Sequence, residues 1–260
     1  MNKKLLTAVM VMGLINFGLL AIPFIHNNWD SEMHLFFASH YAQNWFQPWE
    51  PKWYSGFYVY ASAPLAHQII ALLSKLVELE TGYLILQCVT LIFLPVAVWL
   101  LVKEIIDDKS AEYAALLVTG VGGVYVVSYT FGQLPTLLAM DLGLLACALY
   151  ARFLKSGSAL AFWGWIFTIG AAIATHHYTI IIVIPIIVIS ITVKIWLSKR
   201  IPWVECALRS FVCGVGFAGM CAIAIAPFWW WYLTQSMPQK EIFIISVHLK
   251  IFGSLRMGVI

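Results

Sequence analysis

Along most of the chain, apolar runs long enough to cross a bilayer alternate with short polar turns. Leu5 to Ile25 is the first, an uninterrupted run of about 21 residues, the length of a spanning helix rather than of a cleaved leader's apolar region. Asn27 to Ala63 breaks the pattern as one long polar loop. Pro64 to Leu79 is apolar on one face but short, and it carries His67, Lys75 and Glu78, which reads as an amphipathic helix lying at the membrane interface. Six further runs follow: Gly82 to Leu101, Ala114 to Tyr129, Thr136 to Phe153, Leu160 to Thr175, Thr179 to Trp196 and Cys206 to Phe228. The pattern predicts an all-α, polytopic transmembrane bundle of about seven spans, with interfacial helices in a long first outer loop. The whole of 1–260 reads as a single membrane domain that closes on an amphipathic tail over 232–260. It ends at Ile260 without a terminating element, as the front part of a longer protein would.

Charge fixes the expected orientation. Lys3, Lys4, Lys103, Lys109, Arg152, Lys155, Lys194, Lys199, Arg200 and Arg209 all fall in turns on one side, whereas Lys52 and Lys75 are the cations of the other side before the tail. Basic short loops stay in the cytoplasm, so the amino terminus is expected inside and the Asn27–Ala63 loop outside. Making Pro64 to Leu79 a span would reverse every later loop and put the basic ones outside.

Composition supports the same class. Apolar residues make up 62% and charged residues 10% of the 260 positions, with mean hydropathy +0.88, far from the values of a water-soluble domain. No basic stripe is present to hold nucleic acid. The five cysteines all lie in or beside apolar runs, and Cys206, Cys213 and Cys221 recur at helical intervals, so they read as packing residues.

Candidate chemistry concentrates in the outer loop. Asp30, Glu32 and His34 fall within five residues, followed by Trp45, Pro48, Trp49, Pro51, Trp53 and Gly56. On a helix starting at Ser31, Asp30 and His34 share a face and Glu32 lies opposite; on an extended start, alternation puts all three on one face. A carboxylate at Asp30 suits a general base toward a hydroxyl, or a ligand for a divalent cation together with Glu32. The plainer alternative is a helix N-cap, with Glu32 compensating the helix dipole. Trp49 and Trp53 suit stacking on sugar rings, or anchoring in lipid headgroups. The turns Gly132-Gln133-Leu134-Pro135 and His176-His177 are expected on the same side as this loop, and adjacent histidines cannot both face one cavity. Asp141 lies deeper, as a lone carboxylate inside a span.

These residues resemble the GT-C superfamily of polytopic glycosyltransferases, and within it the membrane family labelled "6-pyruvoyl-tetrahydropterin synthase-related". The matching features are a first span followed at once by Asp30 and His34, then Trp49-x-Pro51-x-Trp53 and Gly56, Pro64-Leu65, the Gly132–Pro135 turn and His176-His177. The resemblance implies a catalytic aspartate in the first outer loop, here Asp30; in a sugar transfer His34 and His177 would assist it by hydrogen bonding or by binding the phosphate. Glu32, Trp49, Trp53, Gln133 and His176 would contact substrate. It also implies a polyprenyl-phosphate-linked sugar as donor, reaction on the non-cytoplasmic face of the cell membrane and, in some members, a divalent metal such as magnesium or manganese at Asp30 and Glu32. Where many members carry a second acidic residue in the second outer loop, this chain has Gln133 and Thr136. The expected function is sugar transfer from that lipid to an acceptor. The rival expectations are a transporter or lipid-handling protein, and a non-catalytic scaffold.

Overall fold

The computed structural model describes residues 3–20, 28–47, 49–52, 56–59, 63–199 and 201–234. Almost all of them are helical, as they must be where no water is present to satisfy backbone amides and carbonyls. The elements run α1 (Lys3–Leu20), α2 (Ser31–Gln43), β1 (Trp49–Glu50), β2 (Phe57–Tyr58), α3 (Leu65–Leu73), α4 (Leu79–Ile105), α5 (Asp108–Val118), α6 (Gly122–Tyr125), α7 (Leu134–Ser156), α8 (Ala159–Thr175), α9 (His177–Leu197) and α10 (Trp203–Thr234). The two strands form one antiparallel ladder, Trp49 opposite Tyr58 and Glu50 opposite Phe57.

The all-α architecture agrees with the apolar pattern, and each predicted run coincides with a helix or helix pair. The count of seven spans does not follow from it. Among the described residues, three helices are long and apolar enough to cross a membrane (Leu79–Ile105, Leu134–Ser156 and Trp203–Ala224). A fourth crossing is supplied if Asp108–Val118 and Gly122–Thr130, bent by 53° from each other, form one span. Ala159–Thr175 and Val183–Leu197 are shorter apolar helices. The short element at 64–79 is confirmed as something other than a span: α3 has 9 residues, about 14 Å of helix against a hydrocarbon core of about 30 Å.

The chain divides into two compact units, 1–224 and 225–260. The second holds the end of α10; the predicted tail beyond residue 234 lies outside the described residues. Within the first unit, α7 is the central post and packs most extensively on α8 and α4. Its buried face is lined by Ala139, Ala146, Cys147 and Ala151, and α8 answers with Ala161, Ile169 and Ala172. Small side chains let two membrane helices approach closely, where dispersion and not water exclusion holds them together. The opposite surfaces carry exposed Leu160, Phe167, Ile186 and Phe211, the outward-facing apolar residues of a lipid-facing surface.

The two ends of this unit differ in character. One end is ionic: Lys4 pairs with Glu112 at 3.0 Å, Lys103 with Asp108 at 2.7 Å, and Glu104 with both Arg152 at 2.9 Å and Lys155 at 2.6 Å. Arg209 pairs with Glu205 and donates to the Leu154 carbonyl at 2.5 Å, closing the last turn of α7. There Gly157 ends the helix at φ 67°, a conformation that costs any residue with a Cβ. The other end gathers α2, α3, the start of α4, the start of α7 and the end of α8.

Between α6 and α7 the backbone widens into a π-helical turn, Val126–Thr130. Phe131 donates to the Val126 carbonyl at 3.0 Å and Gln133 to the Val127 carbonyl at 3.0 Å. Two buried polar bridges hold this turn: Gln87 donates to the Ser128 hydroxyl at 2.7 Å, and Tyr129 donates to the Asn16 carboxamide at 2.7 Å.

Candidate active site

The site is assembled at the start of α2. Asp30 occupies the N-cap position there, yet its side chain makes no capping hydrogen bond. Asn28 takes that role, its Oδ1 accepting from the Ser31 backbone N–H at 2.9 Å. With the helix end satisfied by Asn28, the Asp30 carboxylate is turned across the bundle, where Gln133 Nε2 donates to Oδ2. The amide of Gln133 is itself oriented, because its Oε1 accepts from the Thr136 hydroxyl at 3.0 Å. The amide donor occupies one carboxylate oxygen and leaves the other as an acceptor.

This meeting depends on a close approach of backbones. Gly132, at φ 69°, packs against the Asn28–Ser31 turn so tightly that a Cβ there would collide with the Asn28 carboxamide and stand 2.8 Å from the Ser31 nitrogen. Tyr83, from α4, donates to the Gly132 carbonyl at 3.2 Å and holds the turn from the third side. Below it, Leu35 and Ala38 of α2, Ile70 of α3, Tyr83 and Leu86 of α4 and Leu134 of α7 form one apolar cluster.

One turn along α2, His34 Nδ1 lies 3.0 Å from His67 Nε2 on α3. His67 is fully buried, between His34 and the ring of Phe37, whose centroid is 5.1 Å away. Burial pushes His34 down to about 4, and nearby His176 adds to the effect. Burial also pushes His67 down to about 3; His34 adds to this, while the Ala63 carbonyl acts in the opposite sense. Both rings are therefore neutral at physiological pH.

The late histidine pair separates as adjacency requires. His176, at the C-cap of α8, is near enough to His34 to act on it electrostatically. His177 turns back on its own chain, its Nδ1 2.7 Å from the Ile173 carbonyl. The structure thus pairs Asp30 with Gln133 and His34 with His67, sets His176 near His34, and turns His177 back on its own chain. Glu32 lies in the first turn of α2 and is exposed, where its charge complements the helix dipole. Trp49 opens β1 with its indole against Gly56, and Trp53 lies outside the described residues. Among the described residues no group of three or more His, Cys, Asp or Glu side chains could hold a metal ion.

Three contributors were not picked out from the sequence as site-forming: Asn28, His67 and a buried clasp between His40 and Glu50. His40 Nδ1 meets Glu50 Oε2 at 2.7 Å, and its Nε2 meets the Gln47 carbonyl at 2.7 Å. The other Glu50 oxygen accepts from the Lys52 backbone N–H at 2.7 Å. The clasp ties the aromatic loop to α2. Its signal in the sequence was a histidine and a glutamate bracketing the proline-containing run 44–49, which helical or strand spacing does not connect.

Long apolar helices with a carboxylate and imidazoles toward one end define a membrane protein. The chain belongs to the dolichyl-phosphate-mannose-protein mannosyltransferase family, which matches residues 61–231 and is a glycosyltransferase family of GT-C type. That supports the GT-C resemblance read from the motifs; the narrower pterin-synthase-related label has no support. No curated protein matches the chain.

Proposed function

We propose that this chain transfers a sugar from a polyprenyl-phosphate-linked donor to a hydroxyl-bearing acceptor, on the non-cytoplasmic face of the membrane. The family's description names dolichyl-phosphate-mannose as donor and protein as acceptor, and a lipid-linked sugar of that class suits a site built at the mouth of apolar helices. Asp30 is the general base: it accepts the hydroxyl proton as the acceptor oxygen bonds to the anomeric carbon. The bond from that carbon to the phosphate oxygen breaks, and the polyprenyl phosphate leaves. Gln133, held by Thr136, keeps the Asp30 carboxylate aimed; His34 and His176 line the same side. Lys52, exposed beside the hairpin, supplies a cation for the phosphate. The ionic end of the bundle, rich in Lys and Arg, is the cytoplasmic end on this reading.

The observation that carries the proposal is the release of Asp30 from capping: Asn28 satisfies the helix end, and a side chain 103 residues away addresses the carboxylate instead. The test is turnover of polyprenyl-phospho-sugars by the purified full chain and by Asp30→Asn. The variant is expected to fold normally and to lose activity by at least about 100-fold, the scale of a missing general base. Equal turnover removes Asp30 from the mechanism.

A further inference from the structure

We infer that the turn joining α9 to α10, with the groove between those helices, holds one anionic phospholipid: its phosphate meets Lys199 and one acyl chain lies in the groove. The turn is at the ionic end of the bundle. α7 alone, 23 residues and about 34 Å long, separates that end from Asp30, so nothing about this lipid rests on the sugar-transfer reading.

At the turn is an open recess of about 470 Å³, lined by Trp196, Lys199, Ile201, Pro202 and Trp203. Both indoles are exposed, as aromatic rings are where they sit among lipid headgroups. Lys199 is exposed between them in the chain and held at φ 53°. Glycine is the usual residue at such a place just past a helix end, and a side chain there costs backbone energy. Glu205, the carboxylate of the first turn of α10, is taken by Arg209. Lys199 itself makes no ion pair among the described residues. An ammonium left free beside interfacial indoles suits the phosphate of an anionic lipid.

Deeper along the same two helices is a narrower cavity of about 190 Å³, whose wall includes Trp165 of α8, Ile184 and Val188 of α9, and Ser210, Gly214 and Phe217 of α10. Ser210 carries the one hydroxyl in that wall. It accepts from Tyr150 at 3.1 Å, and Tyr150 lies 2.6 Å from the Thr192 hydroxyl. The wall therefore asks for a hydrocarbon occupant. It opens sideways to the lipid past exposed Ile189 and Val215. The recess and the groove share one track: Pro185, Ile189 and Trp196 recur at helical spacing on α9, as do Trp203, Ser210, Gly214 and Phe217 on α10. From Trp203 to Phe217 is about 21 Å of helix, the thickness of one leaflet with its headgroups. A lipid whose phosphate meets Lys199 lays its chain along this track without leaving its leaflet.

The test is native mass spectrometry of the full chain, titrated with dioleoyl phosphatidylglycerol and with the phosphatidylcholine of the same chains. One phosphatidylglycerol is expected to bind about fivefold more tightly than phosphatidylcholine, the worth of one cation at the membrane surface. Lys199→Gln is expected to erase that preference. Gly214 has open space where a Cβ would stand, so Gly214→Leu fills the groove without a clash. It is expected to weaken binding of the first lipid, of either kind, about fivefold, the scale of ten lost carbon–carbon contacts. Gly219→Leu also meets open space, away from the groove, and is expected to bind as the wild type does. The inference is overturned by equal binding of the two lipids, by an unchanged preference in Lys199→Gln, or by equal effects of the two leucine variants. A polyprenyl phosphate that binds more tightly than phosphatidylglycerol and is displaced by Gly214→Leu also overturns it, as does a dimer that Gly214→Leu dissociates, since each gives the groove another occupant. No sugar donor enters the measurement, so its failure is separate from that of the Asp30→Asn experiment.

Discussion

Replacing Gly132 by alanine tests whether the approach of two turns builds the site. At φ 69° an alanine pays the left-handed backbone penalty, about 1–2 kcal/mol. Its Cβ also displaces the Asn28 carboxamide, which removes the cap on Ser31 at a cost of about 1 kcal/mol. The total, about 2–3 kcal/mol, is survivable. The functional effect is larger, because moving Asn28 to Ser31 away from Gly132 moves Asp30 away from Gln133, and a misplacement of about 1 Å can cost about 100-fold in rate. Gly157→Ala is the matched control. It has nearly the same backbone angle, φ 67°, but the atoms nearest its Cβ belong to the Arg209 guanidinium, the far end of a flexible side chain, so the cost falls on the ionic end and not on the site. Thermal unfolding and donor turnover are measured on both proteins in the same lipid. Both are expected to unfold at lower temperature, and only Gly132→Ala is expected to lose activity by more than about tenfold. Wild-type turnover in Gly132→Ala, or an equal loss in Gly157→Ala, would refute the reasoning.

Two further outcomes are expected. Removing one partner of the buried His40–Glu50 clasp, as in His40→Leu, strands a carboxylate that is 3% exposed and should cost about 3–5 kcal/mol, whereas the double variant His40→Leu/Glu50→Leu should recover most of the loss in melting temperature; equal instability of the two proteins would show that the loss lies elsewhere. Stability should also fall on acidification. The folded-state values of His34 and His67, about 4 and about 3, lie below the ordinary 6.5, so between those limits the unfolded chain binds more protons and is favoured. Stability should therefore drop from about pH 7 to about pH 5, by about 2 kcal/mol per ring, read as a fall in melting temperature, and His34→Gln/His67→Gln should flatten the drop; an unchanged slope in that double variant would contradict it.

The architecture was legible where hydrophobicity alone decides it. Long apolar runs have no alternative to helix in a bilayer, and the charges that bracket them fixed the reading of 64–79 as too short to cross. Placement of Asp30, Gln133 and His176 at one end of the bundle followed from counting turns. The side-chain pairings did not. Whether Asp30 or Asn28 caps α2 depends on a two-residue difference in where the chain turns, and both residue types cap equally well. His67 looked like a polar residue on an interfacial helix because its partner, His34, is 33 positions away and is brought to it by packing of α2 on α3. The choice between His176 and His177 rests on one φ/ψ pair at the end of α8. The two-residue strands are too short to show a period of two, so the Trp49–Glu50 ladder left no pattern.

The widened turn over 126–130 has a bearing on how this protein tolerates change in length. Wide turns of this kind act as a single extra position spliced into an ordinary helix. Excising one position there would restore regular winding and remove the widened turn that sets Ser128 against Gln87 and Tyr129 against Asn16. Exposed Val126 is free to vary, whereas Ser128 and Tyr129 are tied by their buried bridges and the residue count of the stretch is fixed with them.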